Sequence, residues 1–314
     1  MNPRAWKKHG RYLLRREWHK WTTALRFLVF YTLRGQRVPR IIFLHLPKTG
    51  GISIALYILR RIGWKKYGRS AHVAQMPWHG PIPDTVIQKA NRALFVYGHM
   101  PFDVVDRLDN ARTNYVVTFL REPRSRLWSL YRHLSSFLER FPIAPEHPSY
   151  GVMKRCAGLS AEAFFASDDP LVLATIDNHM VRQLAGRMAD YPVPEAEWPG
   201  LLDKAKANLA RIDFIGMLET YEADFRGLIH AIRLRQPRKV PYQNRGLDRF
   251  GPRPADGASP EIERTIDRLT RWDRALYDYA VALRERRGAD HLQSNRFRSR
   301  SAISAVARSS STGV

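Results

Sequence analysis

FLHLPKTGGISI, residues 43–54, joins an apolar run to a helix-like one through a proline, a lysine, a threonine and two glycines. The run that leads into it, IIFLHL (41–46), is short, continuous and apolar, which suits a strand buried on both faces of a parallel sheet. The stretch that leaves it, ISIALYILRRIG, carries Ile52, Ala55, Leu56, Leu59 and Ile62 at helical spacing and stops at Gly63, a natural C-terminal cap. The whole reads as strand, tight loop and helix. The amides of Thr49, Gly50, Gly51 and Ile52 then lie in a turn at a helix N-terminus, where unpaired N–H groups and the helix dipole favour an anion. Gly50 and Gly51 let the backbone approach closely, and Lys48 adds a mobile positive charge. A phosphate or sulfate site and a plain strand-to-helix turn both fit these residues.

Two other readings of the same letters fail on position. LPKTG (46–50) is the string cut by sortases, but that signal works near a C-terminus ahead of a hydrophobic anchor, and here it leads into a domain helix. A nucleoside-triphosphate loop requires GxxxxGK[ST], with the lysine after the glycines. Here the lysine stands before them.

Outward from the loop, ALFVYG (93–98) and NYVVTFL (114–120) read as strands. The second runs into LREPRSRLWSLYRHLSSFLERF, where Leu127, Leu130, Leu134, Phe137 and Leu138 mark one helical face, so strand, loop and helix repeat. From about 141 to 210 the chain reads as mostly helical. Ser160 caps AEAFFAS, Pro170 opens LVLATIDNHMVRQLAG, and Pro194 precedes EAEWPGLLDKAKANLA. DFIGML (213–218) is a further strand candidate, followed by a helix through ETYEADFRGLIHAIRLR. A Pro/Gly/Arg-rich loop spans 236–258, and Ser259 with Pro260 starts a last long helix. Strands alternating with helices predict an α/β fold with a mainly parallel central sheet and a helix-rich C-terminal half. The expected organisation is a basic extension over 1–39, one domain over 40–288, and a Ser/Arg-rich tail over 289–314 whose lack of periodicity predicts disorder.

Lys and Arg number 52 against 29 Asp and Glu in 314 residues, a net charge of +23 that draws anionic ligands, acidic polymers or an anionic membrane surface. For any single basic residue, plain solubilisation accounts equally well for the charge. Cys156 is the only cysteine, which excludes an intramolecular disulfide and a cysteine-based metal site and suits a reducing compartment. The most apolar early stretch, WTTALRFLVFYTL (21–33), is shorter than the roughly 20 residues a spanning helix needs and carries Arg26. No small-residue cleavage site follows it, so it does not read as a secretory signal. Trp18, Trp21, Leu25, Leu28 and Phe30 among Arg15, Arg16, Lys20 and Arg26 suit either an amphipathic helix on an anionic bilayer or a packing arm. The expected location is the cytoplasm, with the inner membrane surface as the peripheral contact in the first of these cases.

At this point three motifs carry a resemblance. FLHLPKTGGISI is similar to the 5′-phosphosulfate loop of the sulfotransferases, in the group that includes heparan and chondroitin O-sulfotransferases and bacterial relatives (sulfotransferase family 2), where the usual form is close to PKTGGTS. TFLREPRSRLWSLYRH resembles that family's 3′-phosphate motif, an arginine at a strand end and a serine eight positions later, here Arg121 and Ser129. YGHMPF (97–102), between the two, resembles the segment with the family's catalytic histidine, here His99. DNHMVRQLAG (177–186) and DFIGMLETYEADF (213–225) are weaker echoes, and the likeness covers roughly 41–285.

The resemblance implies a P-loop-like three-layer fold. It implies 3′-phosphoadenosine 5′-phosphosulfate (PAPS) as co-substrate, with no metal, and an acceptor hydroxyl on a carbohydrate, glycolipid or similar molecule. Lys48, Thr49, Gly50, Gly51, Ile52 and Ser53 would hold the 5′ end, Arg121 and Ser129 the 3′-phosphate, and Lys48 and His99 would be catalytic. One departure matters: Ile52 stands where the family has threonine, so a hydroxyl contact is lost while the amide, Ser53 and Thr49 remain. His45, His133, His179 and Glu122 compete with His99 for the role of base, and Arg126 is a second candidate cation. A strand-end histidine is also commonly just a structural group. Two further readings stay open, a nucleotide-dependent phosphotransferase and a non-catalytic basic protein that binds polyanions. No recognised nucleic-acid motif is present, and nothing in the sequence speaks to oligomeric state.

Overall fold

In the computed structural model, residues 39–62, 70–75, 81–242 and 259–309 are described, with side chains described as far as Gly288. The extension through residue 38, the cap at Gly63, most of the 236–258 loop and the side chains of the tail lie outside the described residues.

Five parallel strands, β1 (Arg40–Leu44), β2 (Ser70–His72), β3 (Phe95–Gly98), β4 (Asn114–Leu120) and β5 (Phe214–Met217), form one sheet in the order β2-β3-β1-β4-β5. The IIFLHL run is its centre. All five residues of β1 are buried, Ile42 and Leu44 facing one side and Ile41 and Phe43 the other. That two-sided burial is why the sequence there is continuous rather than alternating.

Helices cover both faces. Ile41 and Phe43 pack with α1 (Gly51–Ile62) through Ile54, Ile58 and Ile62, and with α11 (Tyr221–Ala231) through Phe225, Leu228 and Ile229. Ile42 and Leu44 join the opposite cluster with α9 (His179–Leu184), α10 (Trp198–Ala210) and α12 (Pro260–Ser309). A third cluster holds α4 (Pro123–Ser135) against α6 (Tyr150–Cys156), α7 (Ala161–Phe165), α8 (Pro170–Ile176) and the start of α12. Shorter helices α2 (Asp84–Arg92), α3 (Asp103–Arg107) and α5 (Phe137–Arg140) complete the set. The fold is thus the α/β arrangement expected, a parallel sheet between helical layers. Cys156 is buried in the third cluster, which pushes its thiol up to about 12.

One expected helix is two. LVLATIDNHMVRQLAG breaks at Asn178, whose backbone is left-handed (φ 41°), so α8 ends and α9 begins there. Asparagine tolerates this conformation, and its partners on α12 hold it. The Asn178 amide donates to the Leu269 carbonyl (2.8 Å), and its side-chain oxygen accepts from the amides of Trp272 (2.8 Å) and Asp273 (3.0 Å). Asn178 is thereby wedged into the hydrogen-bond ladder of α12. Asp273 answers by accepting from the first amides of α9, Met180 (3.2 Å) and Val181 (2.9 Å), so two distant elements cap one another.

Among the described residues no helix is long and apolar enough to cross a membrane.

Candidate active site

β3, β1 and β4 are neighbours, and the loops that leave their C-terminal ends carry the three sequence motifs. Ends of adjacent parallel strands, where chain connections diverge to opposite sides, form the natural crevice of an open α/β sheet. Register sharpens the match: Leu44 pairs with Gly98, so the next residues along, His45 and His99, stand side by side.

The loop before α1 is tightly wound. Lys48 (φ 68°) and Gly50 (φ 81°) are both left-handed, a conformation that costs a residue with a side chain about 1–2 kcal/mol. Thr49 is fully buried, and its hydroxyl donates to the Leu46 carbonyl (2.8 Å). The sequence reading had offered that hydroxyl to a ligand; it holds the turn closed instead. Gly51 is required by contact. A Cβ there would stand 2.1 Å from His45 Cδ2, because the His45 ring is seated on the start of the helix.

Gly51→Ala therefore drives His45 off its seat. We expect a stability loss of about 1–3 kcal/mol in urea unfolding, typical of overpacking, together with loss of turnover. A variant with unchanged midpoint and rate would show that the ring has room to move.

His45 in turn supports His99. Their rings stack with centroids 4.3 Å apart, and His99 Nδ1 lies 2.7 Å from the His45 carbonyl oxygen. A carbonyl only accepts, so Nδ1 carries the proton and Nε2 keeps its lone pair. Gln183 on α9 donates to the same carbonyl (3.3 Å) and to that of Met100 (3.0 Å), fixing the array from behind. Burial lowers the His99 pKa to about 4, opposed by the bond to the His45 carbonyl and assisted by His72 and Lys48. An ordinary histidine titrates near about 6.5; desolvation makes His99 a weaker base that is neutral throughout the physiological range.

The competing bases separate on geometry. Glu122 caps α4, its carboxylate accepting from the amides of Arg124 (2.9 Å) and Ser125 (2.7 Å), and it is not among the residues that line the cavities described below. Arg126, offered as a second cation for the ligand, is fully buried and bound to Asp273 (3.2 Å), so it serves the core. His133 is pushed down to about 3 by burial first and then by Lys48, Arg140 and His99, and its buried Nδ1 has no hydrogen-bond partner. His179 is also held well below its ordinary value, by burial first and then by Arg182, Arg126 and His99, with the Ala174 carbonyl opposing them.

Two cavities meet here. The first, of about 570 Å³, is lined by Lys48, Gly50 and Ser53 from the loop and by Arg121 and Ser129 from the β4–α4 unit. Arg132, His133 and Arg140 add to its walls, with Leu218 and Tyr242 at the remaining side. The second, of about 850 Å³, contains His45, His99, His133 and His179, together with Gly51 and Ile52. Lys48, Gly50 and His133 belong to both. Of the residues singled out from the sequence, Lys48, Gly50, Ser53, Arg121 and Ser129 share the first cavity, His99, Gly51 and Ile52 open on the second, and Thr49 is buried beneath them.

Several participants escaped the sequence reading. Arg132 lies three residues after Ser129, the spacing that puts side chains on one helix face, so that signal was available; His133, four after Ser129, was named only as a competing base. Gln183 lay inside the DNHMVRQLAG echo with nothing local to single it out. Arg140 and Tyr242 arrive from separate elements and had no signal. Among the described residues no group of three or more His, Cys, Asp or Glu is placed to hold a metal ion.

No protein-family model matches the chain. A curated relative is heparan-sulfate 6-O-sulfotransferase 2 of Danio rerio, to which the chain is 26% identical over 302 residues. The similarity takes in 82% of this chain, which spans 60% of the length of that relative. Its heparan-sulfate substrate belongs to the fish protein. For the present chain, the similarity supports a distant kinship with the sulfotransferases.

Proposed function

We propose that this chain is a PAPS-dependent sulfotransferase that passes a sulfuryl group to an acceptor hydroxyl with His99 as the in-line base. One observation carries the reading: the loop residues Lys48, Gly50 and Ser53 and the distant Arg121 and Ser129 line a single cleft, and His99 lines the cavity that shares Lys48 with it. The distant sulfotransferase relative supports the reaction class.

The cleft suits such a donor. Lys48, Arg121, Arg132 and Arg140 provide four cations among the described residues, and the N-terminus of α1 adds a positive dipole end, against the anionic groups of the nucleotide. Arg121 offers a planar fork to the 3′-phosphate and Ser129 a hydroxyl, while Leu218 and Tyr242 provide an apolar side for the base. When bound, the donor supplies a sulfuryl group on a phosphate leaving group.

Lys48 and the first-turn amides of α1 face the charge that grows on the leaving oxygen, and such pre-aimed donors act mainly in the transition state. His99 Nε2, kept free of a proton by the Nδ1 bond to His45, takes the hydroxyl proton. The acceptor oxygen forms its bond to sulfur as the bond from sulfur to the phosphate oxygen breaks. The electron pair of that bond stays with the departing adenosine 3′,5′-bisphosphate.

Adenosine 3′,5′-bisphosphate tests the reading directly. In EDTA, at about 100 times its Kd, it should raise the melting temperature by about 5 °C. Arg121→Ala should weaken that binding about 10- to 100-fold through loss of a charge-assisted contact. Absence of any shift sinks the proposal, and preferential protection by magnesium ATP points to phosphoryl transfer. Binding of acidic polymers that falls steeply with salt and survives Lys48 and Arg121 substitution would mark a polyanion-binding protein.

A further inference from the structure

We infer that the acceptor of this enzyme is an uncharged hydroxyl compound with a hydrocarbon body, an alcohol or phenol of lipid type, and not an anionic polysaccharide. The inference rests on the sulfotransferase reading above and concerns the second cavity alone.

The two cavities divide sharply by chemistry. The first carries three arginines and Lys48. In the second, among the described residues, Lys48 is the single formal cation, and neither arginine nor carboxylate lines it. Lys48 is shared with the first cavity and faces the donor's charge there. The histidines do not make up the deficit: His45, His99, His133 and His179 are all held neutral by burial. An acceptor bearing a sulfate or carboxylate beside its reactive hydroxyl would meet no cation besides Lys48 among the described lining residues, and a charge that gives up water without a partner is unfavourable.

Besides Lys48, the four histidines and the hydroxyls of Ser149 and Thr175, what lines the cavity is apolar. Pro47, Ile52, Leu130, Leu134 and Met153 form walls around the histidines. Ile52 is the telling member. It is one of two large hydrophobic side chains exposed among the described residues, at 50%, and it sits on the first turn of α1. The family form has a threonine at this position, where it would serve the donor. Here the side chain lines the cavity of His99 and is absent from the cleft of Arg121. A branched hydrocarbon kept in water at the mouth of a reactive cavity gains its contact when an apolar molecule enters. Met153, also in the lining, adds an adaptable surface. The site thus combines hydrocarbon walls with uncharged polar groups around the reacting atom, as pockets for hydroxyl-bearing apolar ligands do. The hydroxyl proton goes to His99 Nε2, and the oxygen it leaves takes the sulfuryl group, as in the step already written.

The test uses the full chain with sulfur-labelled PAPS and two pairs of probes: 2-naphthol and decanol on one side, heparin and its desulfated, carboxylate-bearing polymer on the other. Labelled naphthyl or decyl sulfate, with no label on either polymer, is the expected result. In Ile52→Thr the KM for the apolar probe should rise about tenfold, the effect of removing hydrocarbon from a binding pocket, while adenosine 3′,5′-bisphosphate binds at least as tightly. Because Ile52 is exposed, this variant leaves the core untouched. Label on the anionic polymers, or an unchanged KM in Ile52→Thr, overturns the inference while leaving the sulfotransferase reading standing. A chain that does not bind the bisphosphate at all fails at the earlier step, so the two failures are distinguishable.

Discussion

His99→Asn should lower turnover about 100- to 10,000-fold, the range supplied by a positioned general base, while adenosine 3′,5′-bisphosphate binds as before. Asparagine is the informative replacement because its side-chain amide can donate to the His45 carbonyl as His99 Nδ1 does (2.7 Å), so the loop keeps its support and only the Nε2 lone pair is lost. Gln183 holds the same carbonyl independently, which further protects the fold. The pH dependence separates a catalytic from a structural role. Burial depresses the His99 pKa to about 4, so protonation, which removes the base, occurs only in acid. For the donor, kcat/KM should thus be flat through neutrality and fall along a limb near 4, reporting the free enzyme. The limb should vanish in the asparagine variant. A wild-type limb at the ordinary histidine value, or an asparagine variant with full rate, would remove His99 from the chemistry.

The same depressed values act on stability with a definite sign. A histidine whose folded pKa lies below its unfolded value is stabilising above the unfolded pKa and loses that contribution as pH falls toward the folded one. His99 and His133, at about 4 and about 3, should each weaken the fold by about 1.4 kcal/mol per pH unit below about 6.5. Asp177, Asp213 and buried Asp273, whose pKa values are raised by desolvation, act in the opposite direction at the acid end. The net fall is therefore expected to be steepest between about pH 6.5 and 5, above the carboxylate range.

Lys48→Gly is the second large effect, and its two halves oppose each other. Turnover should drop about 100- to 1,000-fold, as when one pre-aimed donor is removed from a site of developing charge. Stability should stay level or rise by up to about 1 kcal/mol, because glycine occupies the left-handed region without the clash that a side chain meets. Lys48 stands there at φ 68°. Glycine is the low-energy choice for such a turn, so on the proposed reading lysine here sets leaving-group stabilisation above local backbone energy. Chemical unfolding and initial rates on the same preparation decide it. A glycine variant that is strongly destabilised would mean that the ammonium group holds the loop rather than the leaving group.

Much of this site was legible before any coordinates. The run at 41–46 announced a buried central strand, and β4 occupies Asn114–Leu120, the bounds its apolar pattern suggested. The glycines and the lysine of the loop pointed to an anion, and the resemblance of TFLREPRSRLWSLYRH to a 3′-phosphate motif singled out Arg121 and Ser129. What escaped is equally instructive. β2 is three residues long and pairs only with β3 at the sheet edge, so its hydrogen bonds, not its composition, define it. The break at Asn178 depends on amides of α12 some ninety positions away, which no local window contains. Arg121 and Arg126 are chemically the same residue five positions apart; one lines the cleft and the other is buried against Asp273.

The sequence by itself determined the local conformations and the order of the three motifs, because periodicity, turn residues and caps act over a few residues through backbone geometry. Only the tertiary structure decided that β3, β1 and β4 lie side by side, that Ile52 and His99 line one cavity, and that burial lowers the pKa values of the histidines. Strand pairing and desolvation are sums over elements distant in the chain, and no short stretch carries them.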